Sequence, residues 1–146
     1  MSNFNFTSQV CTSTSQSEQL LALGLKKKTA DCQYAALVVD WKGNPISNPK
    51  WRFYDHNKGF IVQNFERIER IPAWSLHRLI EMMPSTLQDL YELDFSKRGV
   101  YYADFSNGSF NFIQSFAKPT TILYDNIINC IEWLIKEGYF NKEYLE

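Results

Sequence analysis

His77 and Glu81 are the residues whose types and spacing most directly allow chemistry. They stand four positions apart in a predicted helix, so both project from the same side of it. A histidine beside a carboxylate can ligate a metal ion, or act as a general base that the carboxylate orients. Both lie off the apolar stripe of that helix and are expected to face solvent. They are the catalytic candidates of the sequence.

A metal site at this pair would need one or two further ligands. The only other histidine, His56, lies in a predicted turn beside Asp55, and the sequence leaves open whether His56 and His77 meet in space. No metal ion and no cofactor is therefore implied. A small metal-dependent or hydrolase-like enzyme that uses His77 and Glu81 is the second hypothesis for function.

Other catalytic and nucleotide-binding signatures are absent from the sequence. It has neither the GxSxG turn of a hydrolase nucleophile nor the GxxxxGK[ST] and GxGxxG loops that cradle phosphates. Its three cysteines, Cys11, Cys32 and Cys130, form no CxxC pair, so neither a zinc knuckle nor a redox motif is supported. They are predicted to pack as small apolar side chains in a reducing compartment.

Trp133 indicates a different kind of site, a surface that binds another protein. In the helix expected over 121–137 it lies away from the apolar face, near Asn129 and Lys136. Exposed tryptophans commonly anchor protein interfaces. Trp133, Lys136 and Asn129 are therefore predicted as a binding patch for a protein partner or for a second copy in a homodimer. The alternative is that the N-terminal segment covers the ring within the same chain.

Nucleic-acid binding is the third hypothesis, and the sequence argues against it. Cations and rings alternate at 50–54 and 97–102, but the formal net charge of -1 provides no long-range attraction to phosphates. On a strand, Trp51 and Phe53 would share one face and are expected to belong to the core. The run Lys26–Lys28 is expected to complement the dipole of the helix that precedes it, in preference to binding phosphate.

Three helices are expected to position these residues. Ser15-Gln16-Ser17-Glu18 reads as a capping box that starts the first, and Gly24 is expected to end it, with Leu25 folding back on Leu20. The second covers about 75–83, with Ser75 as its N-cap and Trp74 packing onto Leu79. The third covers about 121–137 and ends at Gly138.

Six strands are predicted between and after these helices, at 33–41, 51–55, 60–65, 91–95, 100–105 and 110–116. The order α-β-β-β-α-β-β-β-α predicts an α+β fold, with three helices packed on a mainly antiparallel sheet of about six strands. Residues 1–14, rich in Ser, Thr and Asn, are expected to be loosely ordered. Residues 15–146 then form a single domain, as the length allows.

The composition excludes several classes of protein. A hydrophobic content of 45% and an aromatic content of 16% rule out intrinsic disorder. The N-terminus has no basic region followed by an apolar run, so it does not resemble a secretory signal. No apolar run approaches the roughly 20 residues needed to span a bilayer. The sequence therefore predicts a cytoplasmic protein without a membrane segment.

Three stretches together resemble small uncharacterised proteins of Bacteroides-type bacteria, their phages and their mobile elements. They are SQSEQLLALGL with TAD at 15–31, IPAWSL with LIEMMP at 71–84, and CIEWLIKEGY at 130–139. The resemblance covers both ends and the middle of the chain. It implies a phage or mobile-element accessory protein and assigns no catalytic residue. The first hypothesis is accordingly a non-catalytic protein-binding or accessory module.

Overall fold

The structure is a computed structural model that describes residues 9–55, 67–97, 99–106, 108–118 and 122–146. These residues form three α-helices and seven strands, which confirms an α+β fold with antiparallel sheets. The helices are α1 (Thr14–Ala22), α2 (Leu76–Met82) and α3 (Leu123–Lys136). The strands are β1 (Cys32–Leu37), β2 (Arg52–Asp55), β3 (Ile68–Ala73), β4 (Thr86–Leu87), β5 (Tyr91–Phe95), β6 (Val100–Asp104) and β7 (Asn111–Phe116).

The strands form two sheets instead of the expected one. The first has the order β2-β1-β3 and the second the order β4-β5-β6-β7, and every pairing is antiparallel. Strand β3 was not expected, because its sequence carries Glu69, Arg70 and Pro72 in six residues. Its place at the edge of the sheet explains this, since an edge strand tolerates charge and a proline that donates no hydrogen bond. The strand expected at 60–65 lies outside the described residues.

Helix α1 starts two residues before the predicted capping box. Ser13 is the N-cap: its hydroxyl accepts from the backbone N–H of Gln16, while Gln16 Oε1 accepts from the N–H of Ser13. Contacts with distant parts of the chain select this start. Gln16 Nε2 donates to Asp125 of α3 at 2.7 Å, and the neighbouring Thr12 is buried. Residues 11–14, expected to be loosely ordered, are thus joined to the domain, whereas residues 1–8 lie outside the described ranges.

The ends of the helices follow local rules, as predicted. After α1, Gly24 has a φ of +96°, and the N–H of Leu25 bonds to the carbonyl of Leu20. After α3, Gly138 has a φ of +78° and ends the helix in the same way. A left-handed residue at this position favours glycine, which has no Cβ to clash.

Helix α2 begins at a junction that joins three separate parts of the chain. Ser75 is its N-cap, as predicted, and accepts from the N–H of Arg78 at 3.1 Å. Asp31, 44 residues earlier, accepts from both the N–H and the hydroxyl of Ser75. Thr12 Oγ1 accepts from the N–H of Trp74 at 3.0 Å, and the indole N–H of Trp74 donates to Thr29 Oγ1 at 2.9 Å.

The main core lies where the four-stranded sheet meets the three helices. Its fully buried side chains include Leu20, Trp74, Leu79, Tyr102 and Ile131. A smaller cluster of Cys11, Cys32 and Ala73 lies against the first sheet. All three cysteines are buried thiols, which confirms their expected packing. Within the described ranges, no helix combines the length and the apolar character needed to cross a membrane.

Candidate functional site

The predicted catalytic pair meets at the surface of α2. His77 Nε2 lies 2.9 Å from Glu81 Oε1, but the side chains are 82% and 48% exposed. Such exposed pairs contribute little binding or stabilising energy, because water screens them. The described part of the chain holds no group of three or more His, Cys, Asp or Glu side chains placed to bind a metal ion. His56 lies outside the described residues, so the question whether it meets His77 stays open.

The predicted binding patch lies on one wall of a groove between β7 and α3, which we call the β7–α3 groove. Its volume is about 410 Å³, within the range of ligand pockets. Asn129, Trp133 and Lys136 line it together, because positions separated by three, four or seven residues share one face of a helix. The whole lining consists of Gln114, Ser115, Phe116 and Lys118 from the strand side, with Asn129, Glu132, Trp133 and Lys136 from the helix.

Trp133 is half-buried, which corrects the expectation that its ring stands apart from the core. Its ring centroid lies 6.1 Å from that of Phe116, 6.3 Å from that of Tyr102 and 5.8 Å from that of Tyr139. The sequence of α3 alone does not predict that Trp133 is half-buried, because the three rings that contact it belong to β6, to β7 and to the turn after the helix. Trp133 therefore joins the core on one side and borders the groove on the other.

The opposite wall of the groove is the edge of a sheet. Strand β7 ends the order β4-β5-β6-β7, and its pairing among the described strands is with β6. Gln114 and Phe116 point toward α3, whereas Ser115 points to the other face, since side chains alternate along a strand. All three nevertheless line the groove. The backbone edge of β7, with its N–H and C=O groups, therefore faces it.

Charge at the rim of the β7–α3 groove is weakly positive. Lys118 and Lys136 face a single acid, Glu132. Lys136 Nζ lies 3.1 Å from Glu132 Oε1, one helical turn away, and the lysine side chain is 71% exposed. Strand β7 itself contains no charged residue and no proline. Its side chains therefore do not oppose the approach of another strand, and the bulge at Ile113 leaves Gln114–Phe116 as the regular part of the edge.

An aromatic cluster that the sequence analysis missed lies at the β6–β7 hairpin. Phe105, Phe110 and Phe112 are 36%, 60% and 53% exposed. Their rings touch in series, with centroids 4.6 Å and 6.1 Å apart, and Tyr101 meets Phe112 edge-on at 5.3 Å. The alternation Phe110-Asn111-Phe112 indicates that the two phenylalanines share one face of the sheet. It does not indicate that this face points away from the helices.

The cations considered for nucleic-acid binding do not gather on one surface, and Lys97 lies apart from the others in the β5–β6 turn. Lys50, Arg52 and Tyr54 line a cavity of about 460 Å³ on the first sheet, and Trp51 and Phe53 are exposed instead of belonging to the core. Among the described residues, the core beside this sheet consists of Cys11, Cys32 and Ala73, with Tyr34 packed against them.

Lys26 and Lys28 border another cavity, of about 680 Å³, between the 3₁₀ turns Lys27–Thr29 and Lys142–Tyr144 and helix α2. The last turn of α1 contains no basic residue, and the run begins three residues after the C-cap, Leu23, so its effect on the helix dipole stays a prediction.

Comparison with known proteins identifies no relative. No family model matches the chain, and no curated protein and no solved structure is significantly similar to it. What the β7–α3 groove binds must follow from its own residues.

Proposed function

We propose that this protein is a binding module whose β7–α3 groove takes up an extended segment of another polypeptide. The observation that carries the proposal is the position of a sheet edge opposite a helix that presents a half-buried tryptophan. An extended peptide can add a strand to such an edge, where main-chain hydrogen bonds supply affinity. Its alternate side chains then enter the pocket beside the helix and supply specificity.

The lining of the groove favours one kind of segment. Phe116 and Trp133 offer aromatic surface, so an apolar or aromatic side chain fits between strand and helix. Lys118 and Lys136 outnumber Glu132 at the rim, so acidic residues on either side of that apolar anchor are favoured. The six residues of β7 span roughly 20 Å, which allows a partner strand of about four to six residues.

The experiment is selection of binding peptides from a random library displayed on phage, with the intact chain as bait. We expect enrichment of an apolar residue flanked by Asp or Glu. Affinities of the selected peptides are then measured by fluorescence anisotropy for Lys136→Glu and for a control, Lys97→Glu. Both lysines are exposed, but Lys97 lies in the β5–β6 turn and is not one of the residues that line the groove.

Reversal of the charge at Lys136 is expected to weaken binding about tenfold, because a rim charge faces the acidic residues of the peptide. Lys97→Glu is expected to change it by less than about twofold, since salt screens more distant charges. Equal effects of the two substitutions, or no enrichment of any sequence, would contradict the proposal.

A second copy of the chain is the main competitor for the same edge. Light scattering over a range of concentrations separates the two cases when it is combined with hydrogen exchange of those amides at 114–116 that point away from β6. A monomer whose amides become protected when peptide is added supports the proposal. A dimer with these amides already protected would overturn it in favour of β7–β7 pairing. The resemblance to phage and mobile-element proteins stays a prediction.

A further inference from the structure

The cavity between the two 3₁₀ turns and α2, which we call the basic cavity, carries an inference independent of the β7–α3 groove. Three cations line it, Lys26, Lys28 and Arg78, against two acids, Glu81 and Glu143. Thr29 and Tyr144 add hydroxyl groups, and Met82 adds apolar surface. The lining comes from distant parts of the sequence. The C-terminal turn lies beside Lys26 because the backbone N–H of Lys26 bonds to the carbonyl of Tyr144 at 2.9 Å.

Arg78 is held in this cavity by weak contacts. Its nearest acid is Glu81, whose Oε2 lies 3.7 Å from Nη1, and the other oxygen of that carboxylate already contacts His77. Arg78 Nε is buried and finds no hydrogen-bond partner among the described residues. A buried cationic donor without an acceptor is costly. The guanidinium therefore gains hydrogen bonds if the side chain, which is 42% exposed, turns toward an anion in the cavity.

We infer that the basic cavity binds the phosphate group of a small phosphate monoester. A phosphate can accept two hydrogen bonds from the fork of Arg78 if the half-exposed guanidinium turns toward it, while Lys28 acts as a mobile point charge. Lys26 Nζ is held at the rim of the cavity, since it donates to the carbonyl of Glu143 at 3.1 Å. Arginine and lysine together are the side chains best suited to phosphate.

The rest of the ligand is expected to contain a flat ring. The half-buried ring of Tyr144 borders the cavity beside Met82. A smaller cavity of about 210 Å³ shares Glu81, Met82 and Tyr144 with it, so space continues past the tyrosine. A base or similar ring can stack on Tyr144 there. A mononucleotide thus fits the size and chemistry, whereas a long polyanion would meet Glu81, Glu143 and an overall charge of -1.

The test measures binding of AMP, adenosine and inorganic phosphate to the full chain by isothermal titration calorimetry at constant ionic strength. We expect AMP to bind with a Kd of about 1 mM or below, inorganic phosphate more weakly, and adenosine most weakly. Absence of AMP binding at about 10 mM would overturn the inference.

The matched variants are Lys28→Glu and Lys27→Glu. They make the same charge change in the same 3₁₀ turn on exposed lysines, but Lys27 does not line the cavity. Lys28→Glu is expected to weaken AMP binding at least about tenfold and Lys27→Glu by less than about threefold. Equal losses would show a diffuse cationic surface and contradict a built site.

Two further measurements test whether the phosphate belongs to a small molecule or to a nucleic acid, and whether the ring of Tyr144 contributes to binding. Tyr144→Leu is expected to weaken AMP binding about fivefold relative to Tyr144→Phe, which removes only the hydroxyl, because stacking on the ring is lost. A single-stranded oligonucleotide that binds more tightly than AMP, with a steep dependence on salt, would overturn the inference in favour of nucleic acid.

Discussion

Thr12→Val is expected to destabilise the fold strongly although valine has nearly the same shape as threonine. Thr12 Oγ1 accepts from the N–H of Trp74 at 3.0 Å and shares a 2.8 Å hydrogen bond with Ser17 Oγ. All three residues are 0% exposed, so water cannot replace the lost oxygen. The change leaves a buried backbone N–H and a buried hydroxyl without their partner.

The size of the effect follows from these two groups. Each buried polar group left unsatisfied costs about 1–3 kcal/mol. The added methyl returns about 0.8 kcal/mol of burial, so the free energy of unfolding should fall by about 3 kcal/mol, within a range of about 1–5 kcal/mol. A chain of this length has an unfolding entropy near 0.3 kcal/mol/K, so the central value corresponds to a fall in Tm of about 10 °C.

The assay is chemical denaturation followed by tryptophan fluorescence, with Thr12→Ser as the matched control. Serine keeps the oxygen and loses one methyl group, which should cost about 1 kcal/mol. The double variant Thr12→Val/Ser17→Ala should lose less stability than the sum of the single changes, because the orphaned hydroxyl is gone. The reasoning is refuted if Thr12→Val and Thr12→Ser have the same stability within about 0.5 kcal/mol, the usual uncertainty in comparing such variants.

Two further predictions concern β7 and the core. A Cβ at Gly99 would lie 1.9 Å from the carbonyl oxygen of Phe116, so Gly99→Ala must displace β7 and should cost about 1–3 kcal/mol, measured by thermal denaturation; an unchanged Tm would contradict the packing. Burial raises the pKa of the Cys130 thiol to about 12, above its unfolded value near 8.5. The unfolded chain therefore loses the thiol proton at a lower pH than the folded chain does. The contribution of Cys130 to the free energy of unfolding is complete below about pH 8.5, and it declines by about 1.4 kcal/mol per pH unit up to about pH 12. Cys130→Ala should therefore flatten the dependence of the unfolding free energy on pH in this window. An unaltered slope would contradict the raised pKa of Cys130.

The parts of the fold that depend on local sequence could be predicted. Each of these features joins residues only a few positions apart, so both interacting residues are visible in the local sequence. They are the N-cap Ser75, the turn at Gly24 and Leu25, and the helix end at Gly138. The start of α1 could not be predicted in the same way, because two serines fit the capping-box pattern. Ser13 is followed three residues later by Gln16, and Ser15 by Glu18. The contact of Gln16 with Asp125 selects the earlier one, and it joins residues 109 positions apart.

The candidate site was predicted only in part for the same reason. The helix alone placed Trp133, Asn129 and Lys136 on one side, and they do line one groove. The other wall depends on β7 being the last strand of its sheet, which strand pairing decides and sequence spacing does not. Lys28 and Arg78 border one cavity although 50 positions separate them in the sequence. No local sequence pattern therefore predicts that they lie together.

The junction at Trp74 and Ser75 has a consequence for how the molecule unfolds. The two sheets are built from different strands, and two such units could melt at different temperatures. However, β3 ends at Ala73 and α2 begins at Leu76, so the junction lies between the first sheet and the helix-covered core. A helix of seven residues is too short to persist alone, and Asp31 can hold its first turn only while β1 is folded. Loss of either sheet should therefore release the other, and calorimetry should record one transition in which the calorimetric and van't Hoff enthalpies agree.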